Sequence, residues 1–311
     1  IDAFSSAGVD AIKFQTHIAL AESSPEEPFR INFSYVDNTR FDYWKRMEFT
    51  RSQWLGLKEH CDAVGVEFIS TPFSVQAVDL LEDIGVSQYK VSSGDITNFL
   101  LLNRLAETKK GIILSSGMSS FSELDTAFKF LRGHACDVSV LQCTSSYPTP
   151  PEKVGLRAIP EMMERYQCTV GLSDHSGTIY PALGAVALGA GIIEVHGVYD
   201  KTMFGPDSSS SLTIDELGQL VAGVRFLEKG LSPAYEKDTA AVSETMKTIF
   251  GKTLAINKPM SAGSTIQLSD LECKKPAGQG IPSSDFEKVL GKLLSVDCDA
   301  WQFLTWDDIH E

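Results

Sequence analysis

The stretch TVGLSDHSGTIYPALGAVALGAGIIEVHG, Thr169–Gly197, decides the fold. It holds two apolar, β-type runs, each ending in a histidine, His175 and His196, with a helix-length insert, PALGAVALGAG, between them. A strand, a helix and a second strand in that order make a right-handed βαβ unit with parallel strands. Parallel α/β folds carry their chemistry at the carboxyl ends of the strands. The two imidazoles are therefore expected to meet at such an end.

Five further runs of the same kind precede this pair: VDAIKFQT (9–16), VEFISTPF (66–73), VSQYKVSSGD (86–95), GIILSSGM (111–118) and DVSVLQCTSSYP (137–148). With CTVGLSDHSG (168–177) and GIIEVHG (191–197) they predict seven strands. Amphipathic stretches at Trp54–Val64, Gln76–Ile84, Leu100–Thr108, Phe121–Leu131 and Leu156–Tyr166 supply helices between them. The strand cores are apolar throughout, as in strands buried on both faces. Every strand then ends in polar residues, whereas a doubly wound sheet would concentrate them at one switch point. The fold class read here is α/β, a (β/α)8 barrel of the TIM type. A barrel needs eight strands, and the opening IDAFSSAG reads as a helix end closed by glycine. The first strand is thus expected to lie ahead of the given sequence. TIDELGQLVAGVRFLEKGL, which follows Leu212, fits the last barrel helix. The expected organisation is a barrel over 1–231, a polar connector over 232–250 and a small β-rich module over 251–311 that needs another surface to lean on.

The 311 residues carry a formal net charge of −14, which argues against nucleic acid or an anionic membrane as partner. No apolar run reaches membrane-spanning length, and the start lacks the basic and apolar regions of a signal peptide. Six cysteines without a CxxC pair read as reduced thiols, and the expected location is cytoplasmic.

His175 and His196, each with an acid close by (Asp174, Glu194), suit a borderline divalent ion such as Mn²⁺ or Zn²⁺, with positions left for water and substrate. Clustered cysteines, the mark of a closed structural zinc site, do not accompany them. Lys13 and Lys90 stand in otherwise apolar strands, where an unpaired ammonium is costly. They read as a Schiff-base lysine or as an anion clamp. Ser92, Ser93, Ser115, Ser116, Thr144, Ser145 and Ser173 at the strand ends suit phosphate or carboxylate oxygens. Asp207, in the turn FGPDSSSS, is placed to meet sugar hydroxyls or to serve as a loop acid.

The series KFQT, YKVSSGDITN, ILSSGM, CTSSYPTP, GLSDHSG, EVH and MFGPD, in this order, resembles the sialic acid synthase family over essentially the whole chain. The tail from Gly251 is similar to that family's antifreeze-like (SAF) domain. The resemblance implies condensation of phosphoenolpyruvate with an open-chain N-acetylated hexose, N-acetylmannosamine or a diacetamido hexose, giving a nonulosonic acid and phosphate. It implies that His175 and His196 hold Mn²⁺ or Mg²⁺. It places Lys13, Lys90, Ser92, Ser115, Ser145 and Ser173 around phosphoenolpyruvate, and Gln15, Tyr147 and Asp207 near the sugar. It also implies a domain-swapped homodimer in which Lys275, in Lys274-Lys275-Pro276, reaches the sugar where the family usually has arginine. The family's first strand, EIG-x-NH-like with an essential glutamate, has no counterpart in the given sequence. Two other readings stand beside this one: a Schiff-base pyruvate aldolase, and a catalytically inactive sugar-binding homologue.

Overall fold

A computed structural model describes residues 1–31, 33–233 and 244–311. The chain divides into two compact units, Ile1–Leu231 and Ser232–Glu311.

In the first unit, α1 (Asp2–Ser6) leads into β1 (Ala11–Thr16), which is followed by α2 (Ala19–Glu22), α3 (Arg40–Met47) and α4 (Arg51–Val64). Strict alternation then sets in: β2 (Glu67–Pro72), α5 (Val75–Ile84), β3 (Gln88–Val91), α6 (Phe99–Thr108), β4 (Gly111–Ser115), α7 (Phe121–Gly133), β5 (Val138–Cys143), α8 (Ala158–Tyr166), β6 (Val170–Asp174), α9 (Tyr180–Ala187) and β7 (Ile192–Val195). The seven strands form one parallel sheet in the order β1-β2-β3-β4-β5-β6-β7, seven staves of the expected barrel. A short parallel pair, β8 (Gly197–Val198) with β9 (Leu212–Thr213), returns the chain to the long closing helix α10 (Ile214–Gly230).

The helix starts are written in the sequence. Thr50, Ser120 and Thr213 each form a capping box, with Gln53, Glu123 and Glu216 three residues on. The stop of α4 is set by Gly65, whose φ of 79° is the left-handed conformation that glycine adopts at least cost. The observed strands are shorter than the apolar runs suggest, because the polar ends leave the ladder. Ser93–Asp95, for example, is a single 3-10 turn beyond β3.

Strand periodicity sorts the side chains into two sets. One set faces the helices, and Phe68, Tyr89, Ile112 and Val140 bury there with Leu81, Leu102 and Leu131. Full burial of each such side chain is worth about 2 kcal/mol. The other set faces inward. Its lowest layer is apolar, with Ile69, Ile113 and Leu141 packed against Ala11 and Ile192. Two residues further along the same strands come Lys13, Thr71, Ser115, Cys143 and Glu194. The inner face thus turns from oily to polar within one repeat of each strand.

The helical shell is tied by ion pairs. Arg165 of α8 binds Asp125 of α7 through both oxygens (2.8 and 2.6 Å), and the Tyr166 hydroxyl donates to the same carboxylate. The Arg165 hydrogen bonds hold the Asp125 carboxyl at about 2, below its ordinary 3.8. A depressed carboxyl stabilises the fold above its unfolded value and loses that contribution as pH falls through its folded value. Asp125→Asn is expected to cost about 1 kcal/mol at pH 7, the scale for a half-exposed pair with good geometry. Urea midpoints should show the gap between wild type and variant closing steadily below pH 4. A gap that is constant with pH would refute this account of the pair.

The second unit has its own small core of Leu254, Ile256, Ile266, Ile281, Leu294 and Leu304. Its ladders are antiparallel: α11 (Glu244–Phe250) is followed by β10 (Thr253–Ile256) paired with β11 (Leu271–Lys274), and β12 (Leu293–Leu294) pairs with β13 (Ile309–His310). The polar connector expected over 232–250 is a helix from Glu244 onward, and residues 234–243 lie outside the described residues.

Candidate active site

At the carboxyl ends of the seven strands the first unit encloses a cavity of about 690 Å³, in the range of small-molecule sites. Eleven of the twelve site residues that the resemblance implies line it: Lys13 and Gln15 from β1; Lys90 from β3 and Ser92 just beyond it; Ser115 from β4; Ser145 and Tyr147 beyond β5; Ser173 from β6 and His175 just beyond it; His196 beyond β7; and Asp207. Lys275 is not among the lining residues. It lies in the second unit, with Nζ 4.9 Å from the ring of Phe250.

At the cavity's inner end Glu194 stands between the two lysines. Its Oε1 lies 3.9 Å from Lys13 Nζ and its Oε2 3.8 Å from Lys90 Nζ. Burial opposes the Glu194 charge, but Lys13, Lys90 and the Ser173 hydroxyl outweigh it and bring the carboxyl down to about 2. Lys90 is 3% exposed. Its ammonium donates to Ser115 Oγ (2.6 Å) and to the Val91 carbonyl (3.0 Å). Desolvation lowers its pKa, and Glu194 works in the opposite direction. Two ammonium groups sharing one carboxylate leave a net positive charge, the setting for an anionic ligand.

The expected serines differ in what they can offer. Ser92 donates to Asp95 (2.6 Å) and Ser173 to Glu194 (2.9 Å), so their protons are engaged. Ser115 accepts from Lys90 and keeps its own proton for a ligand. Between Ser93, Cys143 and Ser145 the backbone passes at Gly117, where a Cβ would stand within 2.8 Å of all three side chains. The missing side chain keeps a polar cradle open there, and the Gly117 N–H is fixed by Ser93 Oγ at 2.9 Å.

The histidine rings lie 5.1 Å apart, tilted by 33°. His175 Nδ1 is 3.1 Å from the Thr144 carbonyl, so that nitrogen is the donor and Nε2 is the one turned to a ligand when the ring is neutral. Burial, with Lys13 and His175 nearby, lowers the His196 pKa to about 4 and leaves that ring neutral. Burial opposes the His175 charge, but contacts with Cys143 and the Thr144 carbonyl outweigh it and raise the His175 pKa. Two imidazoles side by side, one oriented through a backbone carbonyl, are a donor set a divalent ion takes by displacing the proton. No three His, Cys, Asp or Glu side chains are placed to hold a metal ion together among the described residues, so a cation held by the two histidines would draw its other ligands from water and substrate.

Tyr147 leans on His175 (ring centroids 4.3 Å apart), and Arg30 lies over the tyrosine ring at 4.2 Å. Burial pushes the Tyr147 phenol up to about 12, so it stays a donor. Arg30 Nη2 also binds Asp207 Oδ1 at 2.6 Å. Arg30 escaped the sequence reading, as did His17, Trp44 and the bridging role of Glu194. For Glu194 a signal existed, because an acid one strand repeat before His196 must share its face.

The seven parallel staves, the lysine-flanked carboxylate and the paired imidazoles define an α/β-barrel site with an anion-binding inner end. A model of the NeuB family matches residues 1–235 and one of the SAF domain matches 246–310. The chain belongs to the NeuB family. It is 31% identical to the N,N'-diacetyllegionaminic acid synthase of Campylobacter jejuni, over 95% of this chain and 90% of that one. To the N-acetylneuraminate-9-phosphate synthase of Mus musculus it is also 31% identical, covering 93% and 81%. The crystal structure of an N-acetylneuraminic acid synthetase from Leptospira borgpetersenii, in complex with citrate, aligns with a TM-score of 0.69 at 32% identity, covering 79% of this chain and 82% of that one.

Proposed function

We propose that the enzyme joins phosphoenolpyruvate to an open-chain N-acylated hexose and releases a nine-carbon 2-keto acid and phosphate. The observation that carries this reading is the Lys13–Glu194–Lys90 cluster beside the His175/His196 pair. Phosphoenolpyruvate is a small polyanion, and the inner end is the positively charged part of the cavity. Lys13, Lys90 and the free proton of Ser115 hold its carboxylate and phosphate in this reading. Tyr147, Gln15 and Asp207 orient the sugar so that its aldehyde carbon meets C3 of phosphoenolpyruvate. His175 and His196 hold the divalent ion, Mn²⁺ or Mg²⁺, which when bound supplies Lewis acidity toward the aldehyde oxygen. Carbon–carbon bond formation leaves C2 open to water, and phosphate departs with the bridging oxygen. The reading includes a cytoplasmic homodimer, in keeping with the six cysteines, all free thiols.

A Schiff-base aldolase finds support in the lowered pKa of Lys90. The bonds of its ammonium to Ser115 and Val91 speak for a charge-holding role instead. A phosphate-release assay on the full-length protein tests the proposal. Release is expected when phosphoenolpyruvate, an N-acylhexosamine and Mn²⁺ are all present, and silence across a broad sugar panel would refute it. Relatives named for phosphorylated and for unphosphorylated products are equally similar to this chain, so the sugar's charge has to be read from the pocket.

A further inference from the structure

The outer end of the cavity differs in charge from the inner end. Each arginine that lines it is already paired. Arg30 holds Asp207 at 2.6 Å, and Arg40 holds Glu27 at 3.2 Å. Glu27 also accepts the Trp44 indole N–H at 3.1 Å. A third carboxylate, Glu22, binds His17 Nδ1 at 2.6 Å. The His17 ring is clamped between Trp44 (centroids 3.9 Å apart, 15° between planes) and Phe73 (4.4 Å, 8°).

Two arginines against three carboxylates leave no cationic surplus, even with His17 counted as imidazolium. Glu22 Oε2 and His17 Nε2 are buried with no hydrogen-bond partner among the described residues. An ionised carboxylate oxygen can only accept, so it favours hydroxyl or amide N–H donors. A phosphoryl dianion has no proton to offer it and would meet like charge instead. The remaining wall is aromatic, formed by Phe29, Phe33 and Tyr43, and suits the apolar faces of a sugar and its acyl methyl groups.

We infer that this end selects an uncharged N-acylated hexose and excludes the corresponding hexose phosphate. The inference rests on the synthase reading above and deepens it. The reaction that supplies the substrate must then deliver a reducing hexose with no phosphoryl group, and the keto acid that leaves is equally unphosphorylated.

The test compares N-acetylmannosamine with its 6-phosphate in the phosphate-release assay, beside a panel of 2,4-diacetamido hexoses. Free sugars should be preferred by about 100-fold or more in kcat/KM, the scale of an unfavourable like-charge contact. Glu22→Gln keeps an oxygen for His17 while removing the charge, and Asp207→Asn releases Arg30. Each should narrow the preference by about tenfold, whatever it does to the absolute rate. Comparable use of the 6-phosphate by the wild type overturns the inference and leaves the synthase reading intact. A preference that neither variant alters overturns it too, since the discrimination would not be electrostatic. No phosphate release from any sugar, free or phosphorylated, overturns both.

Discussion

His196→Ala is expected to lower metal-dependent phosphate release by about 10³-fold or more while leaving the fold intact. Its ring is close to His175 and makes no side-chain hydrogen bond among the described residues, so removing it frees no buried partner. The loss should therefore appear in chemistry and metal affinity, with the melting temperature moving by only a few degrees. Mn²⁺ affinity, followed by calorimetry or paramagnetic relaxation, is expected to weaken by about 100-fold or more. His175→Ala should match it in activity. Its stability cost should be larger, because the ring is buried, bonds the Thr144 carbonyl and packs against Tyr147. Unchanged Mn²⁺ affinity in both variants would refute the assignment of the pair.

Lys90→Met is expected to reduce kcat/KM for phosphoenolpyruvate by about 10³-fold, the loss of a buried charge-assisted contact to the substrate. The fold should be nearly indifferent. Burial disfavours the ammonium, so its removal relieves desolvation, while Glu194 keeps Lys13 and Ser173 as partners. The two effects oppose each other and the net change should be about 1 kcal/mol or less. Lys90→Arg should not rescue activity, because a planar guanidinium does not reproduce the ammonium's pair of bonds to Ser115 Oγ and the Val91 carbonyl. Borohydride with pyruvate should trap no adduct on wild-type Lys90. A trapped adduct would favour the aldolase reading, and undiminished phosphoenolpyruvate affinity in Lys90→Met would remove Lys90 from the anion site.

The barrel and its inner polar layer were legible in the sequence because strands repeat every two residues. That spacing puts Lys13 beyond Ala11, Ser115 beyond Ile113 and Glu194 beyond Ile192, on the face lined below by apolar side chains. His175 and His196 follow by the same step. The outer end was not legible. His17, Arg30, Arg40 and Trp44 belong to a segment between β1 and α4 that has no strand among its described residues. Their positions come from ring stacking and ion pairs with distant residues, as Arg30 shows by meeting Asp207, 177 residues away. Hydroxyl roles were hidden for a similar reason. Ser92 and Ser115 look alike in sequence, yet one has given its proton to Asp95 and the other has kept it.

The central claim is that this cavity couples phosphoenolpyruvate to an N-acylated hexose. Its most direct test is to quantify phosphate and acid product together, by mass spectrometry, for the full-length protein with phosphoenolpyruvate, a panel of unphosphorylated N-acylhexosamines and Mn²⁺. The account predicts one phosphate for each nine-carbon 2-keto acid formed, and neither product when any one component is left out. Phosphate released without sugar, or a keto acid formed from pyruvate in place of phosphoenolpyruvate, would contradict it.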